Sequence, residues 1–458
     1  MHLILPTTLD EALKLIQYLL AENQRLKDKI EELLLQINKN SSNSSKPPST
    51  DKKGNTPGEG KHGGAKEGHV GAFRPPFTEK QITKRLKIFP TTCPRCGSMN
   101  LVSERKPIIH QVIDLPEIKA DVTEYRLELC RCRECGKHVR GELPQGVSQS
   151  MIGPRLTAWI GLSSCQLSLP VRKIRTLIQG LIHEPFSVGT ILTCQQRIRE
   201  ALNRSYEQIK AESKQEKCIG ADETGWRTHG KKRWAWIATG QTTTILAITV
   251  SGSRKCAEEL LGKNSCQPKI TDRYPAYRFP GPHQYCLAHW KRNIEELKSF
   301  EKGQELYRFL SKKLQGVFFI WHRYQRGEVS WQVFKSITTR RRYEIKKELR
   351  HHAREGPSKR IRSFCKNALK KYGLFWTYTI VRGMEPTNNR AERDLRPIVI
   401  RRKISMGTKS RKGEEFLERM YSVCQTAVKR GIDVWNYLKE ALICHWSKKP
   451  APPLVRCV

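Results

Sequence analysis

The sequence has no apolar run long enough to cross a membrane, and its first residues lack the basic segment and small-residue cleavage site of a signal peptide. These absences favour a cytoplasmic protein, whose 15 cysteines are expected to be reduced thiols or metal ligands rather than disulfides. Acidic residues are also scarce: 44 Asp and Glu stand against 84 Lys and Arg, for a formal charge of +40. Such an excess indicates a polyanionic partner, either nucleic acid or an anionic membrane surface.

The N-terminal segment has the heptad pattern of a coiled coil. Position a is occupied by Leu9, Ile16, Asn23, Ile30 and Ile37, and position d by Ala12, Leu19, Leu26 and Leu33. Isoleucine at a with leucine at d favours a parallel dimer, in which Asn23 pairs with its copy and Glu22 attracts Lys27 across the interface. The alternative is one amphipathic helix packed on its own domain. We predict the dimer, because a buried asparagine fits best against a partner.

The next segment lacks the residues that build a core. Ser, Asn, Gly, Pro and Lys dominate residues 40–76, and such a composition cannot bury enough surface to offset the entropy lost on ordering. We predict a flexible basic linker here.

Two Cys-x-x-Cys-Gly motifs follow the linker. Their thiols, Cys93 with Cys96 and Cys132 with Cys135, predict a closed four-thiolate Zn²⁺ site, which is structural rather than catalytic. The segment between the pairs has the composition of strands, so the unit resembles a zinc ribbon. Cys130 is an alternative ligand.

Residues 152–212 have a helical pattern with a turn at residues 183–186, and Ser187 is a good N-cap for the helix that follows. Helix–turn–helix DNA binding and plain helical packing fit this pattern about equally.

The period then changes from helical to extended. Three short runs over residues 217–250 predict three strands joined by hairpins, with one turn at residues 228–230. A helix is expected at residues 254–262, short strands at 268–274 and 283–290, and basic helices over 291–384. This order is that of a ribonuclease-H-like nuclease core.

Three acids occupy significant places in this order. Asp222 is expected at the end of the first strand, Asp272 at the end of the fourth, and Glu392 on a late helix. Strand ends at one sheet edge, with a helix beside them, bring such carboxylates together to hold two divalent ions for displacement at phosphorus. Oxygen ligands suit Mg²⁺ or Mn²⁺.

The Glu392 segment, TNNRAERDLRPIVIRRK at residues 387–403, is otherwise strongly basic. On a helix, Asn388 and Glu392 share one side, whereas Asp394 points elsewhere and is expected to pair with Arg390 or Arg393. Pro397 is expected to kink or end this helix.

Glu223 should face away from Asp222, as support or surface. Cys286 and His289 have metal-ligand spacing without a second pair, so a structural role is favoured, the alternative being a place for His289 near the scissile phosphate. Trp226 is expected in the core or at a sheet edge, the alternative being stacking on an extruded base.

These motifs resemble the DDE transposases of insertion-sequence family 66. The resemblance rests on DETGW at residues 222–226, TDRYPAY at 271–277, CLAHW at 286–290 and the Glu392 segment. It implies that Asp222, Asp272 and Glu392 are the catalytic, metal-binding triad. It also implies a transposase that binds the ends of its element and catalyses strand cleavage and strand transfer, in some relatives with small accessory proteins.

The expected fold is a multidomain α+β chain with a ribonuclease-H-like catalytic core and a helical insertion, acting on DNA at the nucleoid. The predicted parts are a coiled coil (1–39), a flexible basic linker (40–90), a zinc ribbon (91–140), a helix–turn–helix-like segment (150–213), the first part of the core (214–290), the helical insertion (291–384), the Glu helix (385–430), and a C-terminal helix and tail (431–458). Predicted DNA contacts are Arg390, Arg393, Arg396, Arg401, Arg402 and Lys403. The rival functions are a catalytically silent zinc-containing DNA-binding regulator and a nuclease that cuts without joining.

Overall fold

A computed structural model describes residues 8–38, 75–103, 107–263, 265–278, 280–299 and 301–454. These residues divide into two units, one within Lys53–Thr123 and the other formed by the rest of the chain. Most of the predicted linker, residues 40–74, lies outside the described residues, as does the end of the C-terminal tail.

The N-terminal helix α1 spans Leu9–Asn38, as the heptad pattern predicts. Its apolar side chains at both heptad positions are exposed in the single chain, including Ile16, Leu19, Leu26 and Ile30. The alternative of a helix packed on its own domain is therefore not what the structure shows, although pairing with a second copy stays a prediction.

The region around the cysteine motifs has fewer strands than expected. Among the described residues of this region, the strands are β1 (Leu129–Arg131) and β2 (His138–Arg140), an antiparallel hairpin that encloses the second motif. Residues 107–128 were expected to contain strands but form none. The β-branched composition there is not enough, because a strand needs a partner for its backbone groups and each strand of this hairpin is paired with the other.

A helical subdomain follows, built from α2 (Pro154–Cys165), α3 (Val171–Ile182), α4 (Val188–Ala201) and α5 (Asn203–Ser213). The predicted turn between α3 and α4 is confirmed, with His183 in the left-handed region at φ 56°. The predicted N-cap is also confirmed, because Ser187 Oγ accepts a hydrogen bond from the Thr190 backbone N–H at 3.0 Å. Ile174, Ile178 and Ile191 form a small core between these helices.

The central element is a five-stranded sheet in the order β5-β4-β3-β6-β7. Its first three strands are β3 (Ile219–Thr228), β4 (Lys231–Thr239) and β5 (Thr244–Thr249), which are antiparallel to one another. After α6 (Arg254–Leu261), β6 (Lys269–Thr271) and β7 (His283–Tyr285) add in parallel beside β3. The β3–β4 hairpin turns at His229 and Gly230, both with positive φ, as a two-residue turn of type I′ requires.

The strand predicted over residues 283–290 is wrong in its second half. The strand ends at Tyr285, and α7 (Leu287–Glu295) begins directly afterwards with Cys286 at its N-cap. The predicted helical insertion then forms as α8 (Gln304–Gln325), α9 (Trp331–Glu355) and α10 (Lys359–Lys370). Its aromatic core continues to the sheet, where Tyr285 is buried.

Helix α11 (Asn389–Ser405) carries Glu392 and packs on β3 and β4. The helix continues through Pro397 to Ser405. The prediction that this proline ends the helix near Arg393 is therefore wrong. Pro397 removes the donor to the Arg393 carbonyl, but Arg393 is exposed, where water can satisfy that oxygen.

The last two helices are α12 (Arg411–Lys429) and α13 (Val434–Trp446). Side chains of α12 cover the edge of the sheet, because Thr426, Ser422 and Glu418 accept hydrogen bonds from the backbone N–H groups of Thr244, Leu246 and Ile248 in β5. Four residues of helix and two of strand both advance about 6 Å, so the two rows stay in step. An edge that would otherwise offer unpaired donors is thereby closed.

Candidate active site

The register between the parallel strands β3 and β6 sets the positions of Asp222 and Asp272. Gly220 of β3 is paired with Ile270 of β6. Two residues further along each strand come Asp222 and Asp272, so both acids stand at one level of the sheet. Asp222 was expected at the end of its strand, but β3 runs on to Thr228 in its hairpin with β4. What ends near Asp222 is the pairing of β3 with β6.

The alternation of side chains places Asp222 on the face that α11 covers. A Cβ on Gly220 would lie 2.9 Å from Asn388 Oδ1, and Arg402 of α11 donates to Thr224 Oγ1 at 2.8 Å. Since Gly220 and Thr224 lie two residues either side of Asp222, all three share one face. Asp222 therefore faces the helix that carries Glu392.

Asn388 fixes the beginning of that helix against the strand. Its side-chain amide donates to the Ala221 carbonyl at 2.8 Å, and its carbonyl accepts the Glu392 backbone N–H at 3.1 Å. Glu392 lies one turn further along on the same side, half-buried. Its Oε1 is 3.4 Å from His289 Nδ1, and its Oε2 is 3.5 Å from an Arg292 nitrogen.

The electrostatics of the acids show that they are close together. The pKa of Asp222 is raised well above its usual range by burial and by the negative charges of Glu223, Asp272 and Glu392. Burial also raises the pKa of Asp272 and of Glu392, the latter further raised by the charge of Asp272 and lowered by Arg292. Carboxylates that oppose one another's ionisation in this way favour a bound cation.

Glu223 lies on the other face, as alternation predicts, where its Oε2 accepts a hydrogen bond from the Tyr277 hydroxyl at 2.5 Å. Burial and the charge of Asp272 raise its pKa to about 7. The sequence predicts Glu223 as support or surface. Its half-buried bond to Tyr277 assigns it a supporting place beside the site.

Cys286 and His289 come together with Glu392, a cluster that is not predicted from the sequence, where a structural role is favoured for both. The Cys286 thiol, an imidazole nitrogen of His289 and a carboxylate oxygen of Glu392 all lie within 4.8 Å of one another. Burial, with the charges of Arg292 and Arg273, lowers the pKa of His289 to about 4. The signal in the sequence was the Cys-x-x-His spacing, which puts both side chains in the first turn of α7.

Asp394 has a structural role that differs from the one expected. It does not pair with Arg390 or Arg393 but is buried against Lys429, with 2.9 Å between Asp394 Oδ2 and Lys429 Nζ. Thr239 and Thr244 hydroxyls also donate to it, at 2.7 and 2.9 Å. Glu392 and Asp394 are two residues apart on α11 and face different sides. Glu392 lies beside His289, whereas Asp394 lies beside Lys429.

The six predicted DNA contacts divide into exposed and engaged residues. Arg393, Arg396 and Lys403 are exposed, and Arg390 is half-buried and pairs with Glu385. The guanidinium of Arg401 donates to the Ser164 carbonyl, and that of Arg402 donates to the Gly225 carbonyl at 2.6 Å. Trp226 is 1% exposed and donates to Thr408, which agrees with the structural role favoured for it.

The two cysteine motifs have the same local geometry. In each motif the first cysteine's carbonyl accepts a hydrogen bond from the glycine N–H, at 2.9 Å for Cys93 and 3.0 Å for Cys132. Gly97 and Gly136 both have φ of +71°. In each pair, backbone N–H groups of the turn lower the pKa of the first thiol. Such a turn is suited to two thiolates on one ion, while Cys130 lies before it on β1.

Comparison with known families gives the class of the protein. The profile described as Transposase IS66 family matches residues 149–415, more than half of the chain. Residues 5–74 match a family of unknown function (DUF6444). No curated protein matches the chain.

The protein is thus a transposase by family, a class of enzyme that acts on DNA. More particularly, the chain belongs to the IS66 family, which confirms the resemblance found in its motifs. DNA is accordingly its partner, in keeping with the net charge of +40. Among the described residues, no helix combines the length and apolar character that a membrane span requires.

Proposed function

We propose that this transposase binds the ends of its insertion sequence and uses Asp222, Asp272 and Glu392 as a DDE triad for DNA cleavage and strand transfer. The observation that carries the proposal is the register: Asp222 on β3 stands level with Asp272, directly after the parallel strand β6, and Asp222 lies on the face covered by the Glu392 helix. The sheet order, with three antiparallel strands and two parallel ones, supports a ribonuclease-H-like core with α8–α10 as its insertion.

The residues present fit a pair of Mg²⁺ or Mn²⁺ ions. All three groups are carboxylates, they are half-buried, and the charges of Asp272 and Glu392 oppose the ionisation of Asp222. When bound, such ions activate the attacking oxygen and stabilise the leaving oxygen of an in-line displacement. The carboxylates are half-buried, which limits the water around them, and Arg292 lies 3.5 Å from one oxygen of Glu392.

The reaction is phosphoryl displacement in two stages. Water attacks a phosphodiester at the element's end, and the 3′ oxygen leaves as a hydroxyl. That hydroxyl oxygen then attacks a phosphodiester of target DNA, whose own 3′ oxygen leaves, so one bond is broken for each bond formed. No covalent protein intermediate is needed.

DNA contacts are assigned first to the exposed residues of the Glu392 segment. Arg393, Arg396 and Lys403 are free to meet phosphates, whereas Arg390, Arg401 and Arg402 would first have to leave their contacts within the fold. The α3–α4 pair and a zinc ribbon formed by Cys93, Cys96, Cys132 and Cys135 are proposed to recognise the element's ends.

Dimerisation through α1 is proposed to bring two ends together before cutting. The exposed heptad side chains support it, and Asn23 is exposed at position a. Changing Asn23 to Leu is expected to keep the association but relax its register and stoichiometry, which analytical ultracentrifugation would detect.

A strand-transfer assay tests the proposal. Full-length protein is mixed with labelled DNA from the gene's native flanks and a target plasmid, with Mg²⁺ or Mn²⁺. Glu392→Gln keeps the side-chain shape and removes the charge, and Glu305→Gln, an exposed site on α8, is the matched control. Joined products from wild type and Glu305→Gln, but not from Glu392→Gln, support the transposase.

Two other outcomes would overturn it. Cleavage without joining indicates the nuclease. Binding without cleavage, unchanged by Glu392→Gln and by addition of cell extract to supply accessory proteins, indicates a silent DNA-binding regulator.

A further inference from the structure

Beside the three carboxylates lies a second set of metal-ligating groups of different chemistry. The register that aligns Asp222 with Asp272 continues to the next strand, where Thr271 of β6 is paired with Tyr285 of β7. The residue after Tyr285 is Cys286, whose backbone N–H donates to the Thr271 carbonyl at 2.9 Å. The same level of the sheet therefore carries Asp222, Asp272 and then a thiol.

The Cys286 sulfur is buried and faces backbone donors, and burial outweighs them in raising the pKa of the metal-free thiol to about 11. It stands at the N-terminus of α7, and the backbone N–H of Asn388 donates to it at 3.1 Å. Backbone N–H groups of Ala288 and His289 also point to it. Donors directed at a sulfur compensate the negative charge of a metal-bound thiolate.

The two other groups each present an atom that lacks a partner. Among the described residues, His289 Nδ1 and Glu392 Oε1 are buried without a hydrogen bond. They are 3.4 Å apart, and a tetrahedral ion bound at about 2.0–2.1 Å to each would hold them about 3.3–3.4 Å apart. Buried polar atoms are normally paired, so two facing unpaired atoms beside a thiol are the arrangement that a metal site requires.

We propose that Cys286, His289 and Glu392 form a second metal site, selective for a thiophilic divalent ion such as Zn²⁺. Sulfur and imidazole ligands favour Zn²⁺, whereas Mg²⁺ requires oxygen. Three protein ligands leave a fourth position open. Glu392 belongs to both sites, so Zn²⁺ at the thiol end withdraws it from the carboxylate pair. This consequence, inhibition by Zn²⁺, rests on the proposed function, whereas the binding site does not.

Equilibrium dialysis of the full-length protein against Zn²⁺, with metal measured per chain, tests the site without any activity. Cys286→Ser and His289→Gln are each expected to bind one ion fewer than wild type. Cys444→Ser, on α13 away from the motifs, is the matched control and should bind as wild type does. The variants lie outside the two Cys-x-x-Cys motifs, so ions held there cancel in the comparison. Equal binding by wild type and both variants would overturn the proposal.

His289→Gln keeps the test valid if the buried Cys286→Ser variant fails to fold, since His289 is partly exposed. In the Mg²⁺-dependent cleavage assay, Zn²⁺ should inhibit wild type, and the inhibitory concentration should rise by about tenfold or more in His289→Gln, because even residues that only support a ligand change metal affinity about 10–100-fold. If each variant binds one Zn²⁺ fewer than wild type but wild type cleaves no DNA, the proposed function is refuted and the metal site is not. If the same Zn²⁺ concentration inhibits cleavage by wild type and by both variants, Glu392 is not a ligand shared by the two sites.

Discussion

The side-chain amide of Asn388 donates a hydrogen bond to the backbone carbonyl of Ala221, with 2.8 Å between Nδ2 and the oxygen. This bond joins the beginning of the Glu392 helix to the residue before Asp222. Gly220 permits the approach, because a side chain there would collide with Asn388 Oδ1 at 2.9 Å. The distance between Asp222 and Glu392, which lie far apart in the sequence, thus depends on the side-chain amide of Asn388.

Asn388→Ala is expected to lower strand cleavage by about tenfold or more while leaving DNA binding nearly unchanged. The loss of a buried hydrogen bond should cost about 1–3 kcal/mol of stability, and Glu392 would lose its fixed position. Cleavage rate and DNA affinity are measured side by side. Asn389→Ala, the exposed neighbour, is the control and should behave as wild type. Equal loss of binding and cleavage would contradict a positioning role.

Element order was predictable from the sequence because it depends on local patterns. The three hairpin strands, α3, α4 and the Ser187 cap follow from period and turn chemistry. The strand prediction failed after Tyr285 because Cys286 is not a preferred N-cap, so nothing local announced α7. The strands expected over residues 107–128 failed because pairing is decided by partners rather than by composition.

The candidate site was predictable in its acids but not in its surroundings. The motifs predict Asp222, Asp272 and Glu392 as the triad. The register between β3 and β6 pairs Gly220 with Ile270, which are far apart in the sequence, so a local pattern cannot predict it. The partner of Asp394 is Lys429, on another helix, and the expected arginines were simply the nearest in sequence. The meeting of His289 with Glu392 likewise depends on how α7 and α11 pack.

Asp222→Asn is expected to raise the melting temperature of the metal-free protein while abolishing cleavage. The substitution removes a charge that burial and three neighbouring acids oppose, and the amide oxygen can still accept the Glu223 backbone N–H. A gain of about 1 kcal/mol would correspond to roughly 1 °C for a chain of 458 residues, at about 2.1 cal/mol/K of unfolding entropy per residue. Mg²⁺ should raise the melting temperature of wild type more than that of the variant, because a ligand stabilises the state that binds it.

Differential scanning fluorimetry with and without Mg²⁺ gives both results for Asp222→Asn. Glu184→Gln, in the exposed turn before α4, should change neither. A variant less stable than wild type without metal would mean that Asp222 serves the fold rather than the site.

Lys429→Met is expected to destabilise the protein by roughly 3 kcal/mol or more, since it leaves Asp394 buried without its cation. Adding Asp394→Asn to it should recover part of the loss, because the unpaired charge is then gone. Chemical denaturation measures both, and the exposed Lys412→Met is the control. If Asp394→Asn alone abolished cleavage in fully folded protein, Asp394 would have a role in catalysis rather than in stability.

Stability should also fall in acid through His283, which is buried on β7. Burial, with the positive charges of Lys269 and Lys371, lowers its pKa to about 4, and its Nε2 is 2.8 Å from Thr271 Oγ1. The unfolded chain takes up a proton near its ordinary pKa of about 6.5, whereas the folded chain does so only near 4. Its contribution is therefore complete above about pH 6.5 and is lost as the pH falls toward 4, by roughly 3 kcal/mol in all.

His283→Gln should flatten this dependence, because glutamine does not titrate and its amide can still reach Thr271. Melting temperatures from pH 7.5 to 4.5 are compared for wild type, His283→Gln and the exposed control His445→Gln. His289 has a similarly lowered pKa, so the variant should lose part of the slope rather than all of it. Parallel curves for all three proteins would show that the pKa of His283 is the same in the folded and unfolded chains, which would contradict the prediction.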